Sequence, residues 1–121
     1  MGDGAGLPEL VARSVDLLVD SLGGLEVLMA LYRASDRTWT ADQIASLLHM
    51  SRRAARNELE RLSERGVADS QQVGDEPMFC YCPLDSAQAA HVARIADAYS
   101  TRRIEIINHV ASGSLRRMRS V

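Results

Sequence analysis

Residues 39–67 read WTADQIASLLHMSRRAARNELERLSERGV, and this stretch decides the architecture. Thr40 is placed to cap a helix, Gln43 follows three residues later for the reciprocal bond, and Trp39 precedes the cap where it can staple onto Ile44. Ile44, Ala45, Leu47 and Leu48 carry that helix, which is expected to stop at His49 because Ser51 is a second capping residue immediately beyond. The next helix should run from Arg52 to about Glu64, with Ala55, Leu59 and Leu62 facing inward and Gly66 ending it in the left-handed conformation. Two helices therefore meet at a tight turn.

Beyond Gly66 the periodicity changes. Val67 to Val73 and Met78 to Cys82 read as two short strands joined by a four-residue connection, Gly74-Asp75-Glu76-Pro77, and Pro83 closes the hairpin. Asp85 and Gln88 repeat the capping pattern, so a long helix is expected from there to Gly113. Its stripe of Val92, Ile95, Ala96, Tyr99, Ile106 and Val110 widens to take in Ile104 and Ile107, which suggests a second packing partner such as another subunit. Arg103 interrupts the stripe and calls for an acidic partner or water. Upstream, Leu7, Leu10, Val11, Val15, Leu18 and Leu22 paint one face of a first helix, and after Gly23 and Gly24 a second stripe from Leu25 to Tyr32 marks another. The domain reading is a flexible leader over 1–6, one domain over 7–113 whose flanking helices dimerise, and a basic tail over 114–121.

Composition agrees with one mainly helical core. The chain has 121 residues, 46% hydrophobic but only 4% aromatic, so Leu, Val, Ile, Ala and Met must build the interior. The net charge of -2 hides a sign change along the chain. Acidic residues dominate the first twenty positions, whereas 49–66 hold Arg52, Arg53, Arg56, Arg61 and Arg65 against Glu58, Glu60 and Glu64. The end is basic as well, with Arg102, Arg103, Arg116, Arg117 and Arg119 against Glu105. With no apolar run long enough to span a bilayer and no basic-then-apolar start, a cytoplasmic location is expected.

Helix, tight turn, helix and hairpin, carried by Ile44-Ala45-Ser46-Leu47-Leu48-His49-Met50-Ser51 and then Ala55, Leu59, Leu62, Gly66 and Val67, resembles the winged helix-turn-helix of bacterial regulators of the MarR and ArsR types. The resemblance covers roughly residues 25–83, with flanking helices that agree with dimeric members. It implies a mainly α fold with a small β-hairpin, and a homodimer that binds duplex DNA sequence-specifically and represses transcription. Two departures stand out. His49 occupies the turn position that often holds Gly, which His tolerates. The hairpin, or wing, carries Asp69, Asp75 and Glu76 and no Arg, so phosphate would repel it.

On the second helix of the motif, about 100° per residue places Arg53, Asn57, Glu60 and Glu64 opposite the buried face, with Arg56 and Arg61 on the flanks. Arg53 or Arg56 suits guanine and Asn57 suits adenine, while Arg52 and Arg61 suit phosphates. Thr40 and Ser51, at helix starts, can offer backbone amides to phosphate oxygens. An alternative remains open: a winged-helix module that binds a protein of the transcription machinery through its acidic wing or terminal helix, its arginines forming a solvated face with i, i+4 partners. Cys80 and Cys82 share one strand face opposite Phe79 and Tyr81 and are read as reduced core residues. His91 and His109 are read as surface or interface residues. Neither pair forms a metal set, no cofactor is implied, and no catalytic pairing is visible, so an enzyme is not expected.

Overall fold

The computed structural model describes the backbone of residues 7–119 and the side chains of residues 7–113; the expected leader, 1–6, and the side chains of the expected basic tail, 114–121, lie outside the described residues. The chain runs α1 (Glu9–Leu18), α2 (Leu22–Arg33), α3 (Ala41–Leu48), α4 (Arg52–Glu64), β1 (Ala68–Val73), β2 (Glu76–Tyr81), α5 (Ser86–Thr101) and α6 (Arg103–Arg119). Apolar side chains from every helix and from β2 meet in a single core that includes Leu18, Leu28, Ile44, Leu59, Phe79, Ile95 and Ile106. No helix among the described residues is long and apolar enough to cross a membrane.

The corner between α3 and α4 forms as its capping residues dictate. Thr40 Oγ1 accepts from the Gln43 amide at 3.2 Å while Gln43 Oε1 accepts from the Thr40 amide at 3.0 Å. His49 ends α3 in the left-handed region at φ 57°, and Ser51 caps α4 by accepting from the Ala54 amide at 3.0 Å. Ala55, Leu59 and Leu62 all point into the core, and Gly66 takes φ 79° after α4.

Four boundaries differ from expectation. The first helix ends at Leu18 rather than near Leu22, because Ser21 caps α2: its hydroxyl accepts from the Gly24 amide at 2.9 Å and donates to Glu58 Oε2 at 3.0 Å. Gly23 and Gly24 thus lie inside the first turn of α2. Gly24 leaves room for Glu58, whose Oε1 would lie 3.0 Å from a Cβ placed there. The hairpin turns on two residues, Gly74 and Asp75, so Val73 pairs with Glu76 and Gln72 with Pro77. Pro77 is tolerated because Phe79, two residues on, directs its N–H away from β1 to the Trp39 carbonyl at 2.8 Å; the missing N–H of Pro77 faces the same open side.

The long C-terminal helix is two helices, broken at Arg102. Ser100 and Thr101 both turn their hydroxyls back onto the Asp97 carbonyl, at 2.8 and 3.4 Å, a bonding pattern that bends helices. The bend lets α6 pack on α1, α2 and α5. Gly113 does not end α6, which continues to Arg119; an interior glycine costs a helix only about 0.5–1 kcal/mol.

Trp39 has a larger part than a staple. It forms a one-residue bridge to Phe79, with bonds of 2.7 and 2.8 Å, one in each direction, on the edge of β2 away from β1. Phe79 fills the inner face of β2 at 2% exposed, and Tyr81 sets its ring edge-on to Tyr32 at 5.4 Å. The cysteines therefore fall on the other face. They are free thiols, as expected, but not core residues: Cys80 is half-buried and Cys82 exposed. Burial, then the neighbouring Cys82 and Asp69, pushes the Cys80 thiol above its ordinary pKa.

Candidate nucleic-acid interface

The buried face of α4 fixes what its opposite face presents. Because Ala55, Leu59 and Leu62 are held at 2% exposure or less, Arg53, Arg56, Asn57, Glu60 and Glu64 are turned to solvent. Neither α5, α6 nor the wing covers them.

Ion pairing sorts the arginines of this helix into two groups. Arg53 makes neither an ion pair nor a guanidinium hydrogen bond among the described residues, and Arg56 bonds only to Glu60, one turn along, at 3.0 Å. The others brace the helix to its surroundings. Arg52 lies 3.3 Å from Asp42 on α3 and 3.9 Å from Glu76 on the wing. Arg61 lies 3.3 Å from Glu58 and 3.9 Å from Asp20. Arg65 bonds to the Leu18 carbonyl at 2.8 Å and to Asp20 at 3.0 Å, which ties the end of α4 to the α1–α2 connection.

The structure thus gathers Arg52, Arg53, Arg56, Asn57 and Arg61 on one exposed helix, with Ser51 at its start. Thr40 stands at the parallel position on α3, its hydroxyl engaged in the capping box and half-buried. Sequence reasoning missed the α1–α2 connection as part of this site. Asp20, Ser21 and Glu58 orient the flank of α4, and the one signal for them was a capping serine beside a Gly-Gly pair that had been read as a helix breaker. On the wing, Asp75 and the side chains of Gln71 and Gln72 are exposed, so its tip is acidic to neutral, as the sequence suggested.

On the far side, His91 and His109 both face α1. His91 Nδ1 lies 2.8 Å from the buried Ser14 hydroxyl, and His109 Nε2 lies 2.8 Å from Asp16 Oδ1. Leu10 and Leu17 on α1 and Ile104 on α6 remain 58%, 53% and 71% exposed, a large amount of apolar surface to leave in water. Among the described residues no three metal-ligating side chains converge.

Three comparisons bear on this arrangement. The family described as an HTH domain matches residues 25–74, from α2 into the wing. No curated protein matches the sequence. The chain is similar in structure to the homodimeric winged helix-turn-helix DNA-binding domain (fragment 1–100) of a possible ArsR-family transcriptional regulator from Mycobacterium bovis, with a TM-score of 0.55 and 18% identity, over 84% of this chain and 89% of that one. The α3–turn–α4 corner, the β1–β2 wing and the bridge at Trp39 are the parts by which such a fold is recognised. Residues 25–74 thus match the HTH-domain family, and the chain has the winged helix-turn-helix fold.

Proposed function

We propose that this protein is a sequence-specific duplex DNA-binding transcription regulator that acts in the cytoplasm as a homodimeric repressor, with α4 entering the major groove. The observation that supports this best is the uncovered outward face of α4, on which Arg53, Arg56 and Asn57 lie together and where no acidic group among the described residues holds Arg53. In this reading Arg53 and Arg56 contact guanine and Asn57 contacts adenine, while Arg52 and Arg61 contact phosphates. Arg52 and Asp42 are both more than half-exposed, and exposed ion pairs contribute roughly 0–1 kcal/mol, so exchanging that carboxylate for a phosphate costs little, whereas Arg61 gives up a contact to the less exposed Glu58. Thr40 and Ser51 direct the amides at the starts of α3 and α4 toward phosphate oxygens.

Residues 7–113 act as the domain and 114–121 as a basic tail. The exposed Leu10, Leu17 and Ile104 on the first and last helices motivate dimerisation there, and the M. bovis domain is itself described as homodimeric. Two α4 helices would then address half-sites roughly 34 Å apart, and occlusion of a promoter is the simplest consequence.

A salt titration of duplex affinity tests the reading. Two phosphate-facing arginines per subunit give about four contacts per dimer and a slope of log K against log salt near -3.6. A flat response contradicts it. Reversing charge at Asp75 and Glu76 separates this reading from a protein-binding module: DNA affinity rises under the first, whereas a protein partner is lost under the second.

A further inference from the structure

α1 packs on α5 and α6, whereas α4 packs on α2, α3 and β1. Arg65, the C-cap of α4, reaches from the second group of elements into the first in three directions. Its guanidinium donates to the Leu18 carbonyl at 2.8 Å through one nitrogen and to Asp20 Oδ2 at 3.0 Å through another. Its own carbonyl accepts from the side-chain amide of Gln88, in the first turn of α5. The end of α4 is thus tied to the end of α1, to the α1–α2 connection and to the start of α5.

The contact with Leu18 meets a need of α1 itself. Leu18 is the last residue of that helix, so its carbonyl is one of those a helix leaves without an internal partner, and the residue is buried away from water. α1 has no basic residue in its last turn. The cation that suits a helix C-terminus comes instead from Arg65, 47 positions along the chain. The inward packing of Ala55, Leu59 and Leu62 decides which face of α4 is buried, but apolar contact is not directional, whereas hydrogen bonds at one end of a helix are. At a rise of about 1.5 Å per residue Arg53 stands about 18 Å from that end, so about 10° of play at Arg65 would carry it about 3 Å, roughly one base-pair step.

We propose that Arg65 is a positioning residue that sets half-site spacing. By fixing the end of α4 to α1 and α5 it holds the two recognition helices of a dimer at one separation, while it touches neither base nor phosphate itself. This rests on the DNA-binding homodimer proposed above, with the first and last helices at its interface. One half-site can be met by a recognition helix that has some play, because the helix adjusts to it. Two half-sites on a stiff duplex must be met at once, and the gain from the second is lost when geometry prevents simultaneous engagement. Removing the tie therefore costs little on one half-site and much on two.

The test measures affinity of the full-length protein for duplexes carrying one selected half-site, or two whose centre-to-centre separation is stepped one base pair at a time across about 8–13 base pairs. The parent should prefer one separation by about tenfold or more. Arg65→Gln should lose about fivefold or more at that separation and stay within about twofold of the parent at the others, so that the profile flattens. On the single half-site it should bind within about twofold of the parent, with the same base preference. Arg65→Lys keeps a cation at the end of α1 but not the two-pronged fork, and should flatten the profile partway. Val27→Ala, a fully buried change on α2, should lower the melting temperature without flattening the profile. The proposal is overturned if folded Arg65→Gln keeps the parent profile, or, should that variant not fold, if Arg65→Lys keeps it. It is equally overturned if Arg65→Gln loses as much on one half-site as on two, or if Val27→Ala flattens the profile as far. A parent that binds duplexes with no preferred separation removes the role of Arg65 alone, whereas a parent that binds no duplex removes the proposed function together with it.

Discussion

The exposed face of α4 makes a quantitative prediction about two arginines that look equivalent in sequence. Arg53 enters a groove with no partner to release, whereas Arg56 must leave Glu60, 3.0 Å away, with both side chains about half-exposed at 47% and 49%. A bidentate arginine–guanine contact discriminates by about 1–3 kcal/mol, and an exposed i, i+4 pair contributes about 0.3–0.5 kcal/mol. Arg53→Ala should therefore weaken binding to a selected operator by roughly 5- to 150-fold per half-site, and Arg56→Ala by about twofold less than that. Glu60→Gln should tighten binding by about two- to fivefold, because it frees Arg56 and removes a negative charge from the groove-facing side. The assay is fluorescence anisotropy at fixed salt on an operator chosen from a random duplex pool, with a scrambled duplex beside it. None of the three changes should move the melting temperature by more than about 2 °C, since all lie in water. The reasoning is refuted if Arg53→Ala stays within twofold of the parent, or if it weakens scrambled and selected duplexes equally.

Three further outcomes follow from the packing. Gly66→Ala places a Cβ at φ 79°, 3.2 Å from the Leu84 Cβ, and should lower stability by about 1–2 kcal/mol, a melting drop on the order of 5 °C by calorimetry. Leu59→Ala empties the fully buried side of α4 and should cost about 2–5 kcal/mol in chemical denaturation; a loss under 1 kcal/mol would mean the core beneath α4 is not packed as described. Cys80, its pKa raised chiefly by burial, should react with iodoacetamide at pH 7.5 more slowly in the native protein than after denaturation, when followed by site-resolved mass spectrometry. Its rate should climb as pH rises into the alkaline range, and a native rate above the denatured one would instead mark an activated thiol.

What the sequence disclosed, and what it concealed, divides along the range of the interactions involved. The α3–α4 corner was legible because its signals are local: Thr40 with Gln43, Ser51 at the next start, and an inward stripe three and four residues apart. The end of α1 was not, because Ser21 caps α2 while bonded to Glu58, 37 residues away, and that contact turned Gly24 from a breaker into a place of close approach. The connection of the hairpin was read two residues too long because Pro77 looked like a loop residue. Only the bridge to Trp39 reveals that its missing N–H faces away from β1. The cysteines were assigned to the core because strand alternation pairs them without saying which face is inner; Phe79, larger and apolar, took that face. For the candidate site, the outward direction of Arg53, Arg56 and Asn57 followed from helical period alone. Which arginines are held and which are not depended on Asp20, Asp42 and Glu76, contributed by three other segments. Arg33 and Arg103, far apart in the chain, both lie over the Tyr99 ring, a placement beyond the reach of any periodicity.

The most direct test of the central claim is a map of backbone amide shifts in the full-length protein as a selected operator duplex is added. The account predicts that the largest changes fall on the start of α3 at residues 40–42 and on residues 51–61, with the wing tip at Gly74 and Asp75 changing less. Changes confined to the wing, to α5 or to α6, with residues 51–61 unmoved at saturation, would contradict it.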